Sequence, residues 1–248
     1  MRCIIIAAGS GKRVNQSGKN LPKALLDVNG KTILERQVSL FRKNNINDIV
    51  VITGPYSEKF GLDNITYVND SKFVDHDILG SLMEARQYIE GEVLITYSDI
   101  LFEESILLQI LKSKSDIGIA LEPNWEKYYA NRTEHPQSEA ENVLLDDNDK
   151  ILLIRKNIQE RDKKVTEFIG VIKLSPKGAE IFVNKFTMLE RSHVGKFHAS
   201  PSLSKAYLTD MIQELIDSKI NIIPIIVSGK WCEIDTLQDL ERARVLFS

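Results

Sequence analysis

Apolar residues fall into short unbroken runs along the first hundred positions. RCIIIA occupies 2–7, NDIVVIT 47–53 and EVLITY 92–97. Runs of this length, bounded by polar residues, suit parallel strands buried on both faces. Between them the apolar period changes to that of a helix. Ile33, Leu34, Val38 and Phe41 mark one segment, and Ile78, Leu82, Ala85 and Ile89 mark the next. Strands alternating with helices predict right-handed crossovers and a doubly wound sheet. The same rhythm predicts a helix around 103–112 and a strand at 116–122.

The rhythm then breaks. PNWEKYYANRTEHPQSEAEN, residues 123–142, is polar, aromatic and charged, with neither a strand nor a helix period, and predicts an excursion from the sheet. Beyond it, VLLDDNDKILLIRK predicts a hairpin turning at DDND, and VTEFIGVIKLS another strand. Pro176 suits the first turn of a helix, and a further helix is expected within LSKAYLTDMIQELIDSK. The stretch from Ile220 to Phe247 reads as strand, turn, strand and helix, with Thr236 as N-cap. The expected organisation is one α/β domain over 1–248 with a small β elaboration.

Composition narrows the partners. A net charge of −3 lacks the basic excess of a nucleic-acid-coating surface. No apolar run reaches the roughly 18 residues of a membrane span, and the chain reads as soluble and cytoplasmic. Cys3 and Cys232 form no CxxC pattern and read as ordinary thiols of a reducing compartment. The four histidines show no metal-ligand spacing.

The chemistry concentrates in AAGSGKR, residues 7–13, and in LPK, ending at Lys23. Gly9 and Gly11 after a strand permit tight turning and close approach of backbone N–H groups to an anion. A P-loop is disfavoured, because Ile6 stands where its first glycine belongs and Arg13 follows Lys12. A dinucleotide fingerprint is disfavoured by Val14 at the third-glycine position. Two aspartates also follow apolar runs: Asp99 in LITYSDILF and Asp235 in WCEIDTLQDL. Each is open to a second reading as a helix cap.

Taken together, AAGSGKR followed by LPKALL resembles the signature of nucleotidyltransferases that join an NTP to a phosphorylated small molecule. The resemblance implies a Rossmann-like doubly wound mixed sheet of the nucleotide-diphospho-sugar transferase type. It implies a nucleotide-binding part at about 1–122 and an acceptor-binding part at about 123–248. By this likeness, Ala7, Ala8, Gly9, Ser10, Gly11, Lys12 and Arg13 hold the nucleotide. Arg13 and Lys23 are implied catalytic cations, with Lys23 between the reacting phosphoryl groups. Asp99 and Asp235 are implied ligands of one Mg²⁺, Asp99 also meeting the nucleotide, with Glu233 beside them as a partner or a further ligand. VDHDILGSLMEAR matches the base-site segment of the cytidylyltransferases only at Ser81 and Leu82, and Ser81 is the implied contact there.

From 124 onward the chain resembles the cytidylyltransferases of phosphonate biosynthesis, whose relatives use choline phosphate. That likeness implies CTP and a small phosphonate or phosphorylated alcohol as substrates. Arg132 and His135 are implied to meet the phosphonate oxygens, and Glu167 and Asp210 a polar or cationic tail. Packing is the competing role for the excursion, with Trp125, Tyr128 and Tyr129 seating it on the body. A sugar-1-phosphate nucleotidyltransferase and an inactive nucleotide-sensing subunit are the alternative functions, and a homodimer is left open.

Overall fold

The computed structural model describes residues 1–9, 11, 21–160 and 163–248. Among them, nine strands form one mixed sheet. Arg2–Ala7 lies at its middle, parallel to Asp48–Thr53 on one side and to Val93–Tyr97 on the other. Cys3, Ile4 and Ile5 are wholly buried, as their unbroken apolar run predicts. All three strands run in one direction, so Ala7, Thr53 and Tyr97 end at the same edge.

Beyond Val93–Tyr97 the sheet turns antiparallel. Lys164–Leu174 pairs with it and also with Ile117–Glu122 and Glu141–Leu145, and Ile151–Lys156 completes the predicted hairpin. Register slips between Phe168 and Ile172, where Gly170 takes φ +71°. A Cβ on Gly170 would fall 2.5 Å from Cδ2 of Tyr97, so glycine here makes room for that ring. Thr66–Asn69 adds an edge strand beside Asp48–Thr53, and Ile223–Ile226 joins Ile117–Glu122.

Helix termini follow local chemistry. Thr32 and Glu35 form a capping box on Ile33–Lys43, whose Ile33, Leu34, Val38 and Phe41 are buried. Ser175 caps Pro176–Ser192, with the proline in its first turn. Thr236 caps Leu237–Leu246. The helix predicted through Ile89 ends at Glu84 and tightens into a 3₁₀ turn, Arg86–Tyr88. Inside the excursion only Glu126–Tyr129 and the 3₁₀ turn Gln137–Glu139 are helical. Trp125, Tyr129 and Ala140 pack there as a small core of their own.

A two-stranded clip sits apart from the main sheet. Trp231–Glu233 runs antiparallel to Ile100–Phe102, and the Ile234 amide donates to the Asp99 carbonyl at 2.9 Å. The strand at Ile100–Phe102 carries no signal of its own, since three apolar residues after Ser98 and Asp99 are too few to show a period. No helix among the described residues is long and apolar enough to cross a membrane.

Candidate functional site

Ala7 and Ala8 are buried where the central strand ends, and Gly9 is exposed just beyond. A Cβ on Gly54 would stand 2.2 Å from the Ala8 carbonyl oxygen, so that glycine lets the chain cross the strand end closely. Gly11 is left-handed at φ +63°. Ser10, Lys12 and Arg13 lie outside the described residues.

Lys23 opens a 3₁₀ turn after Pro22, which has φ −54° and ψ 141°, and the buried Ala24 anchors the turn. Its Nζ donates to Asp99 Oδ2 at 2.9 Å and to Asp235 Oδ1. The other oxygen of Asp235, Oδ2, lies 2.9 Å from His135 Nδ1. His135 Nε2 is 3.5 Å from Glu233 Oε2, which is also 3.5 Å from Arg132 Nη2. Arg132 Nε donates to Asp239 Oδ1 at 2.7 Å, and Asp239 Oδ2 accepts from the Asp235 and Thr236 amides. One continuous ionic chain thus joins Asp99, Lys23, Asp235, His135, Glu233, Arg132 and Asp239.

The charges respond to one another. Burial alone would lower the Lys23 ammonium, but Asp99 and Asp235 outweigh it and raise it above its ordinary value. Burial, then the negative charges of Asp235 and Asp99, push the Glu233 carboxyl up to about 7. Burial would likewise raise Asp239, but the bond from Arg132, that cation's charge and the Thr236 hydroxyl hold it below the usual carboxylate range. Glu141, which accepts from the Tyr97 hydroxyl at 3.2 Å, is pushed up to about 8, chiefly by burial and then by Glu233. Among the described residues, four carboxylates, Asp99, Asp235, Glu233 and Asp239, thus meet two cations, Lys23 and Arg132.

That excess fits a divalent cation. Asp99 Oδ2 and Asp235 Oδ1 already converge on one positive atom, and hard carboxylate oxygens suit Mg²⁺. His135, Glu233 and Asp235 also offer ligand atoms within 4.8 Å of one another. The hard, oxygen-rich pair at Asp99 and Asp235 matches Mg²⁺ better than a set containing imidazole does.

Other expected contacts fall elsewhere. Arg132 shows only 5% side-chain exposure and is spent on Asp239, with Tyr129 stacked against it, rather than open to an anion. His135 is buried against Asp235 and Glu233 instead of facing an acceptor. Glu167 is buried under Tyr129, whose hydroxyl donates to it at 2.5 Å, and burial raises it well above the carboxylate range. It presents no open face to a cationic tail. Asp210 is a structural staple, accepting from the Ala199 and Tyr207 amides and the Ser200 hydroxyl. The Ser81 hydroxyl donates to the fully buried Asp70 at 2.7 Å, so only the lone pairs of its oxygen are left to accept a bond from a base.

Asp239 and Glu141 went unnoticed in the sequence. Asp239 stands three residues after Thr236, the spacing of a capping box, and that signal was available. Glu141 opens a strand and had none. A groove of about 900 Å³ beside Trp125, Asn142 and Val165 is lined by none of Lys23, Asp99 and Asp235, so the chemistry and that cavity are separate.

Comparison with known proteins agrees with this architecture. Residues 3–130 match the MobA-like NTP transferase domain model. The CTP:phosphoglutamine cytidylyltransferase of Campylobacter jejuni is 24% identical over 97% of this chain and 98% of its own. The CTP:phosphocholine cytidylyltransferase of Streptococcus pneumoniae superimposes with a TM-score of 0.72 at 20% identity, covering 100% of this chain and 99% of that one. The inositol-1-phosphate CTP transferase of T. maritima gives 0.74 at 19% identity, over 99% and 94% of the two chains. The fold is the mixed α/β fold of the nucleotide-diphospho-sugar transferases.

Proposed function

The chain belongs to the MobA-like NTP transferase domain family, and on that premise we propose that it is a Mg²⁺-dependent cytidylyltransferase condensing CTP with a small phosphonate or phosphorylated alcohol. The observation that carries this reading is the convergence of Lys23, Asp99 and Asp235 at the strand edge where α/β sheets bind ligands. Full-length similarity to a CTP:phosphoglutamine cytidylyltransferase supports CTP and a phosphorylated acceptor.

An acceptor oxygen attacks the α-phosphorus of CTP. The bond from that phosphorus to the oxygen bridging to the β-phosphate breaks, and pyrophosphate leaves with the electron pair. Both partners are anions, so charge neutralisation and alignment dominate the barrier. Lys23 supplies a positive charge for their approach. Arg13 is the second cation of the reading. Asp99 and Asp235 would hold Mg²⁺, which when bound supplies further neutralisation of phosphate charge. His135 and the Arg132–Asp239 pair keep Asp235 and Glu233 in place.

Pyrophosphate release across four NTPs, each with phosphonates, phosphocholine, other phosphorylated alcohols and sugar 1-phosphates, tests the proposal. CTP with a phosphonate or phosphorylated alcohol should turn over fastest. Turnover only with sugar 1-phosphates would replace this reading with that of a sugar nucleotidyltransferase, and none with any pair would favour a nucleotide sensor.

A further inference from the structure

We propose that the Lys23 ammonium and the divalent cation compete for one pair of oxygens, so that metal enters as Lys23 transfers to a phosphate. The inference rests on Asp99 and Asp235 being the metal ligands. Those oxygens, Asp99 Oδ2 and Asp235 Oδ1, are the ones that Lys23 Nζ holds. The three side chains are only 16%, 19% and 6% exposed, so a cation on these two oxygens and the Lys23 ammonium would have to share a largely buried place.

Neither carboxylate escapes easily. Asp235 Oδ2 is engaged by His135 Nδ1 at 2.9 Å, so rotating Asp235 to free Oδ1 would break that contact. The Asp99 carbonyl is tied to the Ile234 amide. The Lys23 backbone is also fixed, since its carbonyl accepts from the Leu26 amide at 3.0 Å. Its four-carbon stem is the free part, able to carry the ammonium from one anion to another. An arriving triphosphate gives it that second anion.

Two consequences follow. Without nucleotide, the apparent metal affinity is reduced by the fraction of time the carboxylates spend on Lys23. With nucleotide, Lys23 is drawn off and metal binds more tightly, and by reciprocity metal tightens nucleotide binding. Metal and nucleotide therefore enter together, not metal first.

The test is Mn²⁺ binding to nucleotide-free protein, followed by the electron paramagnetic resonance signal of free Mn²⁺. Lys23→Ala and Lys23→Met should each bind Mn²⁺ about tenfold more tightly than the wild type, the factor expected if pairing occupies about nine-tenths of the population. Asp99→Asn should bind it more weakly. Lysine variants that bind Mn²⁺ no tighter than wild type, alongside a weakened Asp99→Asn, would overturn the competition and leave the metal assignment standing. Unchanged binding in Asp99→Asn would overturn both. A second measurement uses only the wild type: reductive methylation of Lys23, read by mass spectrometry, should accelerate on adding Mn²⁺. A rate indifferent to Mn²⁺ would overturn the inference even if the variants failed to fold.

Discussion

The backbone amide of Ile234 donates to the carbonyl of Asp99 at 2.9 Å, and this bond sets two distant carboxylates side by side. It continues the pairing of Glu233 with Ile100, so the register of the clip decides how Asp235 meets Asp99. A slip by one residue would send Asp235 to the opposite face.

Both aspartates are therefore expected to be indispensable to turnover and less so to folding. Asp99→Asn and Asp235→Asn keep the shape and remove the charge. Pyrophosphate release should fall by about a hundredfold or more in each, with far-ultraviolet circular dichroism unchanged. Near-normal turnover and metal dependence would refute their assignment.

Lys23 should act on the chemical step. Lys23→Ala is expected to slow single-turnover formation of the CMP-linked product by about a hundredfold. CTP affinity in the presence of metal should change much less. A variant with normal single-turnover rates and only weakened CTP binding would make the lysine a binding residue alone.

His135 touches Asp235 through Nδ1 and lies 3.5 Å from Glu233 through Nε2, and is expected to act by positioning them. His135→Ala should lower kcat and raise the Mg²⁺ concentration needed for half-maximal rate, with KM for CTP little altered. His135→Asn, which keeps a donor near the Nδ1 position, should recover part of the metal dependence. A merely packing role predicts the same metal dependence in both variants as in wild type.

Arg132 should contribute mainly to stability. Its guanidinium is raised above its ordinary value, since burial would lower it but the bond to Asp239 and the charges of Glu233 and Asp239 together offset that cost. Arg132→Ala strips Asp239 and Glu233 of a buried cation and should cost about 3–5 kcal/mol in urea unfolding. Arg132→Lys should recover only part, because an ammonium cannot reproduce the planar donor geometry. A stable alanine variant with a raised KM for acceptor alone would return Arg132 to direct substrate contact.

Glu141 makes stability depend on pH. Its carboxyl rises from 4.5 to about 8 in the folded protein, so between those values the native state holds a proton that the unfolded chain has released. Stability contributed by this group is complete below the unfolded value and is lost as pH climbs toward 8. Glu141→Gln should therefore gain on the wild type as pH rises from about 5 to about 8, measured by urea midpoints. A constant difference across that range would refute the shift.

The sheet was legible because its central strands are unbroken apolar runs, and Lys23, Asp99 and Asp235 were legible as paired motifs beside them. The organisation of the excursion was not. Arg132 and Glu167, which the resemblance sets against a substrate, are each buried by a partner remote in sequence, Asp239 and Tyr129, and Asp210 is taken up by its nearer neighbours Ala199, Ser200 and Tyr207. Composition reports that a residue carries charge, whereas pairing depends on tertiary placement. Ser81 illustrates the same limit, because its hydroxyl bonds Asp70 across a turn with no apolar period to announce it.

The clip between Trp231–Glu233 and Ile100–Phe102 also orders events during protein synthesis. The ribosome delivers the parallel strands, Lys23 and Asp99 long before it delivers Asp235. A nascent chain can assemble much of its sheet while still lacking one of the two carboxylates on which Lys23 sits. The pair of carboxylates around Lys23 is complete only when Trp231–Glu233 pairs with Ile100–Phe102. The pairing that completes the site is thus made by one of the latest segments of the chain to be synthesised.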